Sequence, residues 1–566
     1  MPARLAIFSV CLIAALAAAV PAAQAQFRSR YFSVNGSVGF SAEAYSTTSL
    51  NARRAPATLQ AHANVPFNVL GFRSGINLLY STDESRVRQT VNKLGFSGTW
   101  RWVSLGAGDV SPTFSKYSLS GVTIRGGMLQ LTPGPLLLGA AVGRSRRAVE
   151  ASTEARIGRA AYEQWIYAAQ VGVGKKEGNH FHLIGVVGRD DTLSVANAGD
   201  VLPQENLSIT PDFGLRLFKG KFQLKASATV SAFTRDTRST AVDDELDVPD
   251  FLTNLFTPRT GSRLDAAGEA SMRLNLKNGG LRAAYERVQP GFQSLGLART
   301  RSDQESIRIQ PQLRLLNRKL NLSGNVATFR NNLLGNRAST MERLQLGLTT
   351  QARLTTWLML NVSYNQLDNT NTPTDLAASG SLSLQQDQRS QTVLLSPTLT
   401  LRKGNTSHSV SLSGSFQQME DRSPAVVSGE RAGNDFNNLA ATLSYGVTLP
   451  SGLSLNASSN WLESNASAVE VTVIGLNTGL SYALFNRTLT LGVNGGLSRN
   501  ESTIQRGPSP MSTSASQLML TTNASYRLKN GDTIRLNVRG LSNQQSGSAA
   551  QSYQEVQSTL RYEHRF

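Results

Sequence analysis

The last residues of the chain, Glu555 to Phe566, alternate by side-chain type at a period of two. Val556, Ser558, Leu560, Tyr562, His564 and Phe566 fall on one face of a strand, and Gln557, Thr559, Arg561, Glu563 and Arg565 on the other. Such a strand has one apolar surface and one water-facing surface. The pattern recurs along the chain in segments of roughly 10 to 16 residues separated by turn signals, as expected of a transmembrane barrel. After residue 25 no stretch holds the ~18 uninterrupted apolar residues a spanning helix needs. The nearest, Met128 to Gly143, is broken by Gln130, Pro133, Gly134 and Pro135. The expectation is an all-β chain forming one large antiparallel transmembrane barrel. A β-helix or a secreted β-sandwich array would also alternate, but neither accounts for a terminal phenylalanine.

The opposite end differs in kind. Arg4 precedes an apolar run from Leu5 to Val20, then Pro21 and Ala23-Gln24-Ala25, the small-residue pattern of a cleavage site before Gln26. The expected organisation is a signal peptide over 1–25 and a barrel over 26–566. Cys11, the only cysteine, lies in the removable run, so the exported protein is expected to have no disulfide, no Cys-ligated metal and no cysteine nucleophile.

Tight turns recur at 175–179, 219–221, 277–280, 317–319, 403–405, 450–452, 486–487 and 529–532, where Gly and Asn supply the positive φ that short hairpins require. Longer polar connections lie near 190–203, 236–261, 289–302, 370–388, 420–433 and 502–513. If Phe566 ends at the periplasmic rim, counting backwards puts every short turn on that side and every long loop outside. The count from residue 30 is about 25; even numbers are the rule, so 24 or 26 is expected. Alternation is least regular over 84–135, which reads as irregular and lumen-facing. The first strand begins near Tyr31, leaving no room for a large plug domain before the barrel.

The polar face carries arginine. Arg308 and Arg314 oppose Ile307, Ile309, Pro311, Leu313 and Leu315, and Arg343 and Arg353 oppose Leu344, Leu346 and Leu348. Arg535 and Arg539 oppose Ile534, Leu536 and Val538, and Arg561 and Arg565 oppose the terminal apolar face. The formal charge is +18, and removing Arg4 with the signal leaves one fewer. A wide lumen lined this way would concentrate anions, unless carboxylates on neighbouring strands or an inward loop neutralise it. Lysines instead sit in or beside the short turns, at Lys175, Lys176, Lys219, Lys221, Lys277, Lys319, Lys403 and Lys529, giving a basic rim that keeps the turns solvated or meets acidic periplasmic partners. No nucleic-acid recognition motif accompanies the charge, and nucleic acid is not an expected partner.

The ending at Tyr562, His564 and Phe566 resembles the C-terminal assembly signal of Gram-negative outer-membrane β-barrel proteins, although His564 stands where a larger apolar or aromatic residue is commoner. The resemblance implies the cell outer membrane as location, contact with its lipid and lipopolysaccharide, and the barrel assembly machinery as a partner. A second, local similarity covers residues 108–127, GDVSPTFSKYSLSGVTIRGG. Gly108-Asp109, Pro112 and Arg125-Gly126 resemble a signature of the fimbrial usher pores and the gliding-motility translocon barrels. An usher inserts a plug just after this point, whereas here Leu136 to Val142 continues as a strand. The alternative for this segment is a loop folded into the lumen, with Gly108 and Gly126 allowing unusual backbone angles and Asp109 pairing with Arg125.

Catalytic signals are sparse. His180 and His182 share a strand face, but no third ligand stands at a suggestive spacing, so no metal or other cofactor is expected. The acidic run Asp243 to Asp250 lacks the ligand order of a calcium loop. The readings, in order, are a porin-like channel with an anion-favouring lumen, a secretion or polysaccharide-export barrel working with periplasmic partners, and a barrel enzyme or surface adhesin.

Overall fold

The computed structural model describes residues 31–49, 52–82, 92–151, 160–242, 255–299, 301–375, 385–423, 435–467, 469–505, 510–528, 531–547 and 552–566. The proposed signal segment, Cys11 and the acidic run at 243–250 lie outside them. Twenty-seven strands run from β1 (Phe32–Val34) to β27 (Tyr553–Arg565). β1 and β2 (Ser37–Thr47) both pair with β3 (Ala57–Val69), so they are two halves of one stave interrupted at Asn35-Gly36. Every stave is antiparallel to its sequence neighbours, and β27 pairs back onto β2 from Ser37↔Arg565 to Thr47↔Glu555. The result is a closed antiparallel barrel of 26 strands, one of the two even numbers expected from the sequence. No helix among the described residues is long and apolar enough to cross a membrane.

The closing seam explains the composition of both chain ends. The Phe566 amide donates to the Gly36 carbonyl at 3.2 Å, and the Gly36 amide donates back to Phe566 at 2.9 Å. The terminal residue is therefore the last rung of the sheet. A Cβ at position 36 would collide with the Asn64 carbonyl oxygen, which is why glycine stands where the first stave bends.

The short turns gather at the rim that holds Phe566 and the long connections at the opposite rim, as the alternation of lengths requires. The outward face carries a continuous apolar band, including exposed Ile307, Leu348, Leu395, Leu443, Leu476 and Leu520. Aromatic side chains flank it. Trp100, Tyr445, Tyr482, Tyr526 and Tyr562 lie towards the short-turn rim, and Tyr80, Trp165, Tyr285 and Trp461 towards the loop rim. Amphipathic rings at two levels with aliphatic residues between them match the two interfaces of a bilayer.

The wall is uneven. β5 (Lys93–Trp100), β6 (Val103–Val110) and β7 (Ile124–Leu131) have 8 residues each, whereas β19 (Gln386–Lys403) on the opposite side has 18. At ~3.3 Å per residue and ~40° tilt, these correspond to about 20 Å and about 45 Å of wall height. The tall side carries polar outward residues above its apolar band, with Arg389 bonded to Asp368 at 2.7 Å.

One expectation needs correction. The region 84–135 is not irregular throughout: β5, β6 and β7 are ordinary staves, and of its described residues only the connection 111–123 turns inward out of the wall. Gly95, Gly98, Gly106, Gly108, Gly126 and Gly127 lie on these short strands. A residue without a side chain belongs to neither face, so the alternation is blurred in the sequence while the strand remains.

The seam yields a direct test. Ala42 and Leu560 are cross-strand partners, and the sole native cysteine is Cys11. An Ala42→Cys, Leu560→Cys double variant should be joined by a short thiol cross-linker into a species of altered gel mobility. Absence of the cross-link in folded protein would mean that the first and last staves do not meet.

Candidate functional site

Two connections leave the loop rim and fold against the concave side of the wall. The first, residues 111–123, joins β6 to β7. The second, of which residues 289–299 and 301–303 are described, joins β14 (Gly279–Val288) to β15 (Gln304–Leu315). Their burial follows from an apolar lining that barrels otherwise lack. Phe114 and Leu119 pack with Ile124, Ile166, Ile184 and Val186, and Tyr117 and Phe292 pack with Ala267 and Val288. Leu119, Ile124, Ile166 and Phe292 are fully buried. Each side chain of this size stabilises by about 1.5–3 kcal/mol when removed from water.

Polar contacts fix the register of the two segments. Ser120 and Leu297 form a parallel bridge, the Ser120 amide donating to Gly296 at 3.0 Å. Ser294 Oγ donates to the Ser118 carbonyl at 3.0 Å. Ser231 Oγ donates to Gln293 O at 2.6 Å, and the Leu295 amide donates to Asn206 Oδ1 at 3.2 Å. Lys116 lies 2.6 Å from Glu269 and 3.1 Å from Glu286. Tyr117 Oη donates to Glu286 at 2.9 Å. Burial, together with the Glu286 and Glu269 carboxylates, pushes the Tyr117 phenol up, so it remains a donor throughout the physiological range. From the opposite rim, Lys176 Nζ donates to the Phe114 carbonyl at 3.2 Å. The inward segment is thus held at its hairpin tip as well as at its base.

Gly108, Asp109, Pro112, Arg125 and Gly126 surround the start and end of this segment. Gly108 has φ +84°, and a Cβ there would collide with the Leu94 carbonyl oxygen; one at Gly126 would collide with that of Val142. Asp109 and Arg125 are cross-strand partners, with Arg125 Nε and Nη2 donating to the two carboxylate oxygens at 2.9 and 3.0 Å. Leu94 N also donates to Asp109 at 2.8 Å. The glycines let neighbouring strands approach closely, Gly108 against Leu94 and Gly126 against Val142, and the ion pair clamps the two strands where the segment departs. Pro112 is buried at the first bend.

The strand pairing puts Arg308, Arg314, Arg343, Arg353, Arg535, Arg539, Arg561 and Arg565 on the concave face, opposite the exposed aliphatic residues of their own strands. They do not form one cluster. Arg308 and Arg343 lie towards the loop rim, Arg539 at mid-height, and the others towards the short-turn rim. Arg343 stands over the Phe329 ring at 5.7 Å. Glu563 accepts from Arg565 at 2.8 Å and lies 3.7 Å from Arg561. Reading strands singly missed others on the same face, including Arg73, Arg273, Arg282 and Arg402. Two like-charged cross-strand pairs result, Arg273 with Arg282 and Arg535 with Arg561.

At the chain end, Tyr562 faces outward with its ring 5.6 Å from Phe40 and its hydroxyl donating to Asp532 at 2.8 Å. His564 pairs through Nδ1 with the same carboxylate and stacks on Phe566 at 5.6 Å. The imidazole in place of an apolar residue is thereby explained: it satisfies a buried aspartate in the last short turn.

The sequence offers His180 and His182 no third ligand at a suggestive spacing; the pairing of β10 (His180–Asp191) with β11 (Glu205–Leu217) supplies one. This brings Asp212 opposite His182, and His180 Nε2 lies 3.2 Å from its Oδ2. A ligand from a neighbouring strand leaves no local spacing to read. The other histidines have separate surroundings, with His62 Nε2 3.4 Å from Arg561 and His408 Nδ1 2.9 Å from the Tyr445 hydroxyl.

No protein-family profile matches the chain, and no curated protein matches it. Among solved structures, it is similar to OccK8 (OprE) of Pseudomonas aeruginosa at 10% identity and TM-score 0.31, over 64% of this chain and 92% of that one. It is similar to BauA, the ferric preacinetobactin receptor of Acinetobacter baumannii, at 10% identity and TM-score 0.39, over 93% and 80%. It is also similar to the translocation pore of the P pilus usher PapC at 11% identity and TM-score 0.32, over 94% and 99%.

The anchoring of the inward segment is testable. Tyr117→Phe removes the hydrogen bond to Glu286 and should weaken the docked state by about 1.5 kcal/mol, a roughly tenfold rise in its open population. Trypsin cleavage after Lys116 should accelerate accordingly. An unchanged rate would show that the apolar contacts alone hold the segment.

Proposed function

We propose that the protein is an outer-membrane β-barrel channel whose lumen favours anions. The apolar band between two aromatic levels supports a membrane location, and the division of short turns from long loops supports the outer membrane. The observation that carries the anion preference is the cross-strand register on the concave face, which sets Arg273 opposite Arg282 and Arg535 opposite Arg561. Like charges directly opposite one another destabilise a sheet unless solvent or an anion accommodates them. On that face, towards the short-turn rim, they are joined by Arg73, Arg216, Arg314, Arg353, Arg402, Arg527 and Arg565, while the described carboxylates there are Asp212 and Glu563. A cationic collar of this kind attracts anions and raises the barrier to cations.

The measurement is reversal potential across a planar bilayer under a salt gradient. The wild type should be anion-selective, with the preference falling as salt shortens the Debye length below ~8 Å. Arg535→Glu with Arg273→Glu should shift it towards cations. A cation-selective wild type would overturn the reading.

A second reading, passage of a polymer with periplasmic partners, is favoured by the docked segment 111–123, which lies on the concave side of the wall and would have to leave it for a polymer to pass. Absence of conductance in the wild type, with conductance appearing on deletion of 113–121, would move the weight to that reading.

In either case Tyr562, His564 and Phe566 are proposed as the residues read by the barrel assembly machinery, since they end the strand that must close the sheet. Deleting Phe566 should lower the yield of heat-modifiable barrel in cells far more than Phe416→Ala, an outward aromatic elsewhere. Equal yields would contradict that role.

A further inference from the structure

On the concave face, where β10 and β11 approach the short-turn rim, His180, His182 and Asp212 present one donor atom each within 4.8 Å of one another. Both histidines are buried, at 6% and 2% exposure, and their rings stack at 4.6 Å. Each ring is oriented by a backbone carbonyl. His180 Nδ1 faces Gly178 O at 3.1 Å, and His182 Nε2 faces Gly174 O at 3.1 Å. A carbonyl oxygen only accepts, so both of these nitrogens carry hydrogen, which leaves the other nitrogen of each ring to meet a ligand. For His180 that nitrogen is Nε2, which faces the Asp212 carboxylate 3.2 Å away. A cation placed between a deprotonated Nε2 and the carboxylate is held by both; without one, a proton on Nε2 closes the same contact.

The surroundings are shaped for the two rings. A Cβ at Gly214 would collide with the His180 ring, and one at Gly172 with the His182 ring. An N–H donated to a backbone carbonyl is the outer-shell arrangement that orients metal-ligating imidazoles. We propose that His180, His182 and Asp212 form a binding site for one divalent transition-metal ion of the zinc type. Two imidazole nitrogens and one carboxylate oxygen suit that class, and three protein donors leave a fourth tetrahedral position for water or a small ligand. With metal–donor distances of ~2.1 Å, donors in a tetrahedral site stand about 3.4 Å apart. The His180–Asp212 separation of 3.2 Å is close to this, and donor atoms of all three residues lie within 4.8 Å of one another.

The location gives the ion a structural consequence. Gly174 and Gly178, whose carbonyls orient the rings, bracket the turn carrying Lys176, and Lys176 holds the tip of the inward segment through Phe114 O. A metal at this point stiffens the turn on which that contact depends. The inference is independent of whether the barrel conducts.

The test uses full-length, tag-free barrel folded in detergent and stripped with a chelator. Zn²⁺ titrated against a chromophoric competitor should bind at one equivalent per chain, and Co²⁺ should give the intense visible absorption of tetrahedral coordination. His182→Asn and Asp212→Asn should each weaken binding at least tenfold, whereas His408→Asn should leave it unchanged. Folding of each variant is checked by heat-modified gel mobility. Should a variant fail to fold, the wild type still decides, since X-ray absorption of the bound ion should show outer-ring scattering from imidazole ligands, and its absence would overturn the proposal. No stoichiometric binding by the wild type, or full binding by a folded His182→Asn, Asp212→Asn double variant, would overturn the proposal.

Discussion

Everything in this molecule depends on the sheet having no free edge. A strand in a non-aqueous environment must pair both its rows of amides and carbonyls, and a barrel does so only when its last stave returns to its first. The reciprocal bonds between Gly36 and Phe566 complete that circuit. The requirements at the chain ends follow from it: a glycine where the first stave bends over Asn64, an aromatic residue on the last rung, and a histidine that satisfies Asp532 behind it.

Closure also explains where the ordinary core is. Most of the wall has no interior, since one face meets the apolar surroundings and the other meets water. A conventional buried core exists only where segments 111–123 and 289–299 lie against the strands, and there the concave face changes from arginine, asparagine and glutamine to Ile124, Ile166, Ile184 and Val186. The change begins at the low part of the wall, β5 to β7. Glycine-rich, short strands allow the chain to turn inward at the Asp109–Arg125 clamp, and the apolar patch then fixes where it lands.

The same geometry divides the charges by function. Carboxylates under the inward segment, Glu269 and Glu286, are engaged by Lys116 and Tyr117. The arginines nearer the short-turn rim have far fewer acidic neighbours. On the channel reading, the segment narrows the lumen on one side while the collar sets the sign of what passes; on the polymer reading, the segment is the part that must move. Both rest on one arrangement, in which docking uses up the carboxylates of one arc and leaves the cations of the rest.

The sequence by itself determined the strand period, the direction of each face, the division of short turns from long loops and an even strand number near the one observed. These are legible because a barrel wall is built from local pairings: every stave contacts its neighbours in sequence, and a two-residue period separates its faces. Even the Asp109–Arg125 pair was readable, since one hairpin joins the two residues. What only the tertiary structure decided is whatever crosses that order. Lys176 meets Phe114, Ser120 meets Leu297, and Tyr117 meets Glu286, contacts made across the lumen side between segments far apart in the chain. Asp212 joins His180 and His182 from the neighbouring strand at a distance fixed by the register and the length of the connection between them. Lumen contacts carry no period, because they depend on how a closed sheet curves and not on how any one strand alternates.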